Sequence, residues 1–498
     1  MTLTIPDLRV IAPAGTRRWP PLYPSVFPAL IMLAIGSTAL RRPALGWDEH
    51  ATWSVATRTP AEIVRMAGEI DGVIAPYYLF MHYWIEIFGD RTAVMRLPSL
   101  LAVAVAVGIA GEWGRVLFGP VTGLTGALIL VTVPQLSRYA TEARVYGIAL
   151  LAGVLTMWLF HRATARPAWR RWLGYGLSVT ILGYAHLLGL LILMAHLTIL
   201  GSRRRGGDRR LWRGPLVMAG AVALTAPLIR LGLAQRGAQL DWIPPVNAHD
   251  VLTAPGAVFG ATVTAPAGLL YGAQLAGLFL IGLAFTARLP GPWSAQRPIV
   301  ELAVLAVLPP ALLLGASLAG ASIWVPRYVL VVIVPVALLA ALALREFRLR
   351  QIAALLLLVA LTLETHQAVR RPASRDGMNF RTVASVVSAG LRPGDGVVYG
   401  RVGTWSLRAG LDYELRDRPR PADVLLVRPA ARAGALDADE CATLTCFDTA
   451  RVWYVGARRG EDPMSDAAGP LGAKLDRDYR RTEVWLQPLG VVALFERR

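Results

Sequence analysis

The stretch YPSVFPALIMLAIGSTALRRPALGWDEHATW, residues 23–53, decides how the rest of the chain is read. Its first part, 23–40, is apolar and carries no charge, which is enough chain to cross a bilayer as a helix. It follows Arg9, Arg17 and Arg18 and shows no small-residue cleavage pattern, so it reads as a retained first span rather than a signal peptide. Just beyond it stand two adjacent carboxylates, Asp48 and Glu49, at what becomes a membrane edge.

The composition agrees with that reading. The chain has 498 residues, 55% of them hydrophobic and 17% charged, with a mean hydropathy of +0.48. A soluble domain carries about 25% charged residues, so an ordinary soluble enzyme and a disordered chain are both excluded. The net charge of +18 comes almost wholly from arginine, Lys474 being the lone lysine. The arginines sit in short loops between apolar runs, which is the positive-inside bias of a membrane protein and no signal of nucleic-acid binding.

Further apolar runs fall near 97–113, 120–136, 145–160, 172–186, 187–201, 212–232, 267–287, 298–319, 328–344 and 350–364. With the first, they predict about eleven transmembrane helices. The stretch 76–88 is apolar but short, aromatic and interrupted by Glu86, and is expected to lie at the interface or in a cavity wall. The basic loops 161–171, 201–213 and 345–350 are expected to face the cytoplasm. The N-terminal segment 1–22 is then cytoplasmic, and the loops 41–96, 135–144, 233–266 and 320–327 face outward. Arg41 and Arg42 oppose this orientation and are outvoted by the three basic loops.

Past residue 364 the composition turns polar, with short strand-like runs at 396–399, 423–427, 451–455 and 491–495 and a helical period over 380–391. Residues 365–498 are thus expected to form a small α/β domain outside the membrane, after a membrane module of 23–364. Cys441 and Cys446 both fall in it, and an extracytoplasmic position would permit a disulfide between them. There is no GxxxxGK[ST] or GxGxxG segment, so an ATP-driven machine is not expected.

Ionisable groups near lipid are costly and are functional candidates by default. Neighbouring side chains on a helix point in different directions, so Asp48 and Glu49 need not share a task. A second cluster, Ser137 to Tyr146, holds Arg138, Tyr139, Glu142 and Arg144. Arginine suits phosphate, being a planar fork of donors with a permanent charge. The same residues could equally form Arg138/Glu142 or Arg144/Glu142 pairs that anchor a helix end. A third cluster, Trp324 to Tyr328, holds Arg327 and Tyr328, a pattern that an aromatic belt at the interface also produces. His186, between two spans, reads as a helix-capping or packing residue.

Taken in order, WDEHATW (47–53), APYYLFMHYWIEIFGDRTAVMRLPSLL (75–101), RYATEARVYGIALL (138–151), YAHLLGLL (184–191) and VPRYVLVVIVP (325–335) resemble membrane glycosyltransferases of the GT-C fold. That group contains protein O-mannosyltransferases, aminoarabinose transferases and actinobacterial mannosyl- and arabinosyltransferases. The segment 376–399 looks like the family's post-membrane module. Two motifs depart from the pattern. Ile74-Ala75-Pro76 stands where many relatives have a basic residue before paired prolines, and Thr141 replaces the usual glutamine before Glu142-Ala143-Arg144.

The resemblance implies transfer of a sugar, mannose or arabinose, from a polyprenyl-phosphate donor to a hydroxyl of a cell-envelope glycan, lipid or protein on the outer face. It maps a catalytic acid residue onto Asp48, with Glu49 as the adjacent acid. One base and no second nucleophile imply inversion, with Asp48 as general base. Arg138, Tyr139, Arg144, Arg327 and Tyr328 are expected to hold the donor phosphate. His50, Tyr77, Tyr78, His82 and His186 are expected to line the substrate pocket. No cofactor or metal is expected to be required. A lipid-linked sugar flippase and a non-catalytic envelope assembly protein are the competing classes. The acids cluster at one membrane side and no repeat is visible, which disfavours a transporter.

Overall fold

The computed structural model describes residues 22–205, 209–261, 268–375, 378–458, 462, 464–467 and 469–498. Helix α1 (Tyr23–Ser37) is followed by three helices that fold the segment 41–96: α2 (Trp47–Ala56), α3 (Pro60–Glu69) and α4 (Ala75–Phe88). The long α5 (Thr92–Phe118) leads to α6 (Pro120–Thr132), α7 (Pro134–Ala140), α8 (Tyr146–Ala165), α9 (Trp169–Ala185), α10 (Ile192–Arg205) and α11 (Arg213–Ala234). After α12 (Arg236–Leu240) and α13 (Ala248–Phe259) come α14 (Gly268–Phe285), α15 (Arg297–Ala316), α16 (Ile333–Ala343) and α17 (Arg348–Val369). The chain is a multi-pass membrane protein. Among the described residues each of the eleven apolar runs overlaps helical structure, but the run 120–136 is divided between α6 and α7, and those at 187–201 and 328–344 begin in 3-10 turns. By length and composition, seven helical stretches among the described residues can cross a membrane, or up to eight if the bent pair α6–α7 is one span. α1 and Tyr271–Phe285 are apolar but shorter.

Glycines let α1, α5 and α6 approach one another closely. A Cβ on Gly111 of α5 would lie 2.0 Å from the carbonyl oxygen of Pro24 in α1. One on Gly123 of α6 would lie 2.4 Å from the carbonyl oxygen of Gly111. The break between α6 and α7 has a local cause. Pro134 forces Val133 into an extended conformation (φ −79°, ψ 115°) and the two helices meet at 70°. Every residue of α7 is buried. The expected loop 135–144 is therefore a short helix and a turn packed inside the protein.

The C-terminal part carries α18 (Phe380–Gly390), α19 (Thr404–Leu415), α20 (Ala430–Ala433) and α21 (Pro470–Asp478). Its strands are β1 (Gly396–Tyr399), β2 (Ala422–Asp423), β3 (Leu426–Arg428), β4 (Asp439–Glu440), β5 (Arg451–Ala457), β6 (Tyr479–Gln487) and β7 (Gly490–Arg497). Five of them form one mixed sheet in the order β2-β1-β5-β7-β6, with β1 parallel to both neighbours and the β5-β7-β6 pairs antiparallel. Alternate residues serve two cores. Val397, Trp453 and Leu494 pack with α18 and α19, and Val398, Val452 and Phe495 pack with α21. Burial on both faces explains the unbroken apolar runs of β1, β5 and β7. Strand β6, which the sequence reading lacks, is the polar edge YRRTEVWLQ. Cys441 and Cys446 are joined in a disulfide. The expected boundary at 364/365 falls inside α17, which continues to Val369.

Candidate active site

Helix α2 starts at Gly46, whose backbone N–H donates to Glu49 Oε2 at 3.1 Å. That bond closes the first turn and leaves Asp48 and Glu49 on different sides of it, both favourably placed at a helix N-terminus. Glu49 points inward and is 1% exposed. Arg96 of α5 grips it with Nε at 2.7 Å and Nη2 at 2.6 Å, and the backbone N–H of Ala143 donates at 2.8 Å. The rest of the Arg96 guanidinium donates to the carbonyls of Leu40, Pro43 and Ala44 at 2.9–3.0 Å. Burial pushes the Glu49 carboxyl up, but Arg96 and the two backbone donors outweigh it and hold it below its ordinary value. Glu49 accepts four hydrogen bonds and has no oxygen open to a substrate.

Asp48 is different. Its side chain is 41% exposed, with Oδ1 3.7 Å from Arg144 Nη2. The surrounding protein pushes its carboxyl up, and the guanidiniums of Arg144, Arg327 and Arg138 together outweigh that and hold it below its ordinary value. It is an ionised, accessible carboxylate beside a row of arginines.

Arg144 also donates through Nη1 to the Asp48 carbonyl at 3.4 Å and to the Tyr78 hydroxyl at 3.2 Å. Tyr78 donates in turn to Asp71 Oδ2 at 2.8 Å. Arg327 lies over three rings, with its guanidinium carbon 5.2 Å from Tyr146, 5.1 Å from Trp242 and 5.7 Å from Tyr328. Its Nε is buried without a hydrogen-bond partner. Tyr139 stands 5.0 Å from Tyr146, and His186 4.9 Å from Tyr328, closing an aromatic wall. Tyr77 is buried beside Tyr78, its hydroxyl without a hydrogen-bond partner. Arg138 is placed otherwise: it forms an ion pair with Glu142, which Arg375 also contacts at 3.3 Å.

Asp48, Arg144, Tyr78, Arg327, Tyr328, Tyr139 and His186 are thus brought to one region. His50 and His82 are not. His50 is fully buried, its Nδ1 3.1 Å from Ser406 Oγ and its ring edge-on to Phe380 at 4.8 Å. Burial pushes it down to about 3, so it is neutral. His82 is buried with Nδ1 2.9 Å from the carbonyl of Ala56 and Nε2 3.5 Å from Glu86. Four residues that the sequence reading did not single out complete the region: Asp71, Arg96, Trp242 and Arg375. Arg96 belongs to the stretch 75–101 that carries the family resemblance. The other three had no local signal.

The C-terminal domain reaches this region directly. Trp405 of α19 meets Trp47 edge-on at 6.5 Å, and Tyr413 meets Trp53 at 5.3 Å. Tyr413 also shares a 2.9 Å hydrogen bond with Thr92, and Arg416 pairs with Asp90 at 3.0 Å. Gly403, at φ +64°, lets the Trp47 ring come within 2.7 Å of where a Cβ would stand. Helix α2 is therefore held between α5 on one side and the domain on the other.

A family model described as dolichyl-phosphate-mannose-protein mannosyltransferase matches residues 75–229. Among solved structures, the chain is similar to ArnT from Cupriavidus metallidurans in the apo state. The TM-score is 0.59 at 14% identity, covering 94% of this chain and 97% of that one. The same protein bound to undecaprenyl phosphate gives 0.58 and 16% over the same shares. No curated protein sequence matches. At these identities the likeness is one of fold: the chain has the GT-C architecture, a polytopic helical membrane module followed by a small C-terminal α/β domain.

Proposed function

We propose that the protein is an integral-membrane glycosyltransferase that moves a sugar, mannose or arabinose, from a polyprenyl-phosphate donor to a hydroxyl of a cell-envelope acceptor on the outer face. The observation that carries this reading is the division of labour within one helical turn. Glu49 is consumed by Arg96, while Asp48 stays ionised, accessible and 3.7 Å from Arg144. The ArnT structure with undecaprenyl phosphate and the mannosyltransferase family model support the donor class. The disulfide supports an oxidising compartment for the C-terminal domain.

In this mechanism Asp48 takes the proton of the acceptor hydroxyl, worth about 10²–10⁴-fold in rate. The acceptor oxygen attacks the anomeric carbon on the face opposite the phosphate. The bond from that carbon to the phosphate oxygen breaks, and its electron pair leaves with polyprenyl phosphate. One carboxylate acting as base gives inversion. Arg144 and Arg327 hold the departing charge where it develops, with Tyr328 and Tyr139 beside them. Arg138 contributes field rather than contact, because its guanidinium pairs with Glu142. Glu49 acts as a positioning residue for α2, and no step uses a metal.

The test is transfer from polyprenyl-phosphate mannose and polyprenyl-phosphate arabinose by purified wild type and Asp48→Asn. Loss of turnover in the variant, with donor binding kept, is the expected result. Near-normal turnover of Asp48→Asn on a donor the wild type uses would overturn the assignment.

A further inference from the structure

Asp71 sits at a joint that neither the catalytic helix nor the arginine clusters account for. It adopts φ +57°, a left-handed conformation that aspartate tolerates better than most residues. From there its carbonyl caps the start of α4, accepting from the N–H groups of Ile74 at 2.9 Å and Ala75 at 3.1 Å. Its carboxylate spans two directions. Oδ2 accepts from the Tyr78 hydroxyl at 2.8 Å, and that hydroxyl accepts from Arg144 at 3.2 Å. Oδ1 accepts from Gln239 Nε2 at 3.0 Å.

Gln239 belongs to α12, and its carbonyl accepts from the indole N–H of Trp242 at 3.1 Å. Trp242 is 53% exposed and lies 5.1 Å from the Arg327 guanidinium. A second latch holds the same two segments in register. Gln235 accepts from the Gly72 N–H at 2.9 Å and donates to the Ala67 carbonyl at 2.8 Å. Leu231 packs so closely on Gly72 that a Cβ there would lie 2.3 Å from it.

We propose that Asp71 is a positioning residue that ties both arginines of the phosphate site to one carboxylate, Arg144 through Tyr78 and Arg327 through Gln239 and Trp242. This rests on the donor reading above and adds to it the group that sets the spacing of the two guanidiniums. The negative charge fixes which way the Tyr78 hydroxyl points. Tyr78 donates to Asp71 and so offers a lone pair to Arg144. A neutral amide at position 71 can present its own N–H to Tyr78 instead and turn that hydroxyl toward Arg144 as a competing donor.

The experiment uses the purified full chain in detergent with undecaprenyl phosphate as probe. Asp71→Asn and Tyr78→Phe are each expected to weaken its binding about tenfold. The double variant is expected to be no worse than the weaker single, as for residues acting through one path. Gln239→Ala is expected to weaken binding as well, and in turnover assays the donor KM rises while the acceptor KM holds. Additive losses, an acceptor KM that rises instead, or variants that bind like the wild type would each overturn the role of Asp71. If Asp71→Asn does not fold, Tyr78→Phe and Gln239→Ala decide the matter alone. A wild type that fails to bind undecaprenyl phosphate overturns the donor reading itself, which is a different outcome from tight binding that the variants leave unchanged.

Discussion

Arg96 closes on Glu49 with two hydrogen bonds, of 2.7 Å and 2.6 Å, at a point where neither side chain reaches solvent. Removing one member of a buried pair leaves the other charged and unpaired, which costs about 3–5 kcal/mol. Glu49→Gln is therefore expected to lower the melting temperature of the purified protein markedly. Asp48→Asn, at a half-exposed neighbour, is expected to change stability by only about 0.5 kcal/mol. Thermal unfolding of the two variants side by side checks this. Equal stabilities would contradict the different roles assigned to the two acids.

Asp48 is also the basis of a pH prediction. Its carboxyl is held below its ordinary value in the folded protein because Arg144, Arg327 and Arg138 favour the charged form over the opposing effect of burial. A depressed carboxylate is ionised, and lends its stability, at all pH above its unfolded value of about 3.9. Both are lost only as the pH falls below that. The kcat/KM profile is thus expected to show no acid limb from this group between pH 5 and 8. A carboxyl titrating near 6 in the infrared spectrum of the wild type, and absent from Asp48→Asn, would refute the assigned electrostatics.

His50 gives the same sign over a higher pH range. Burial lowers it to about 3, so the folded state holds it neutral, while the unfolded chain binds a proton below about 6.5. Stability is fully present above that value and declines as the pH falls from about 6.5 toward 3. Replacing His50 with phenylalanine is expected to flatten that decline, measured as melting temperature against pH. An unchanged slope would place its cause elsewhere.

Gly403 offers a way to disturb α2 from the C-terminal domain. Alanine there must hold a positive φ, at a cost of about 1–2 kcal/mol, and must push the Trp47 ring aside. Gly403→Ala is expected to lower turnover while leaving β1 and β5 folded. Transfer assays beside far-ultraviolet circular dichroism check it.

Much of the membrane architecture was legible in the sequence because lipid imposes a simple rule: long uncharged runs become helices. The same rule misleads about element ends, as at α17, where the helix runs on to Val369 past the expected boundary. Strand β6 was hidden because an edge strand needs no apolar face. The pair Asp48-Glu49 was visible, but not which acid would be free. That depends on Arg96, whose place against Glu49 is set by packing across 47 residues. Asp71, Gln239 and Arg375 were illegible for the same reason, since their partners lie across the fold and their own neighbourhoods are unremarkable.

The 70° bend at Val133 sets a timetable for making the protein. It turns the end of α7 inward, where the carbonyl of Arg138 accepts from the backbone N–H and the hydroxyl of Thr141, both at 3.3 Å. Arg375 adds a donor to that carbonyl, at 3.3 Å, and to the carbonyl of Thr141, at 3.0 Å, and it is translated 234 residues after Thr141. The end of α7 therefore lacks its full set of partners until the segment after α17 has been made. The membrane module is completed only as the ribosome begins the domain that follows it.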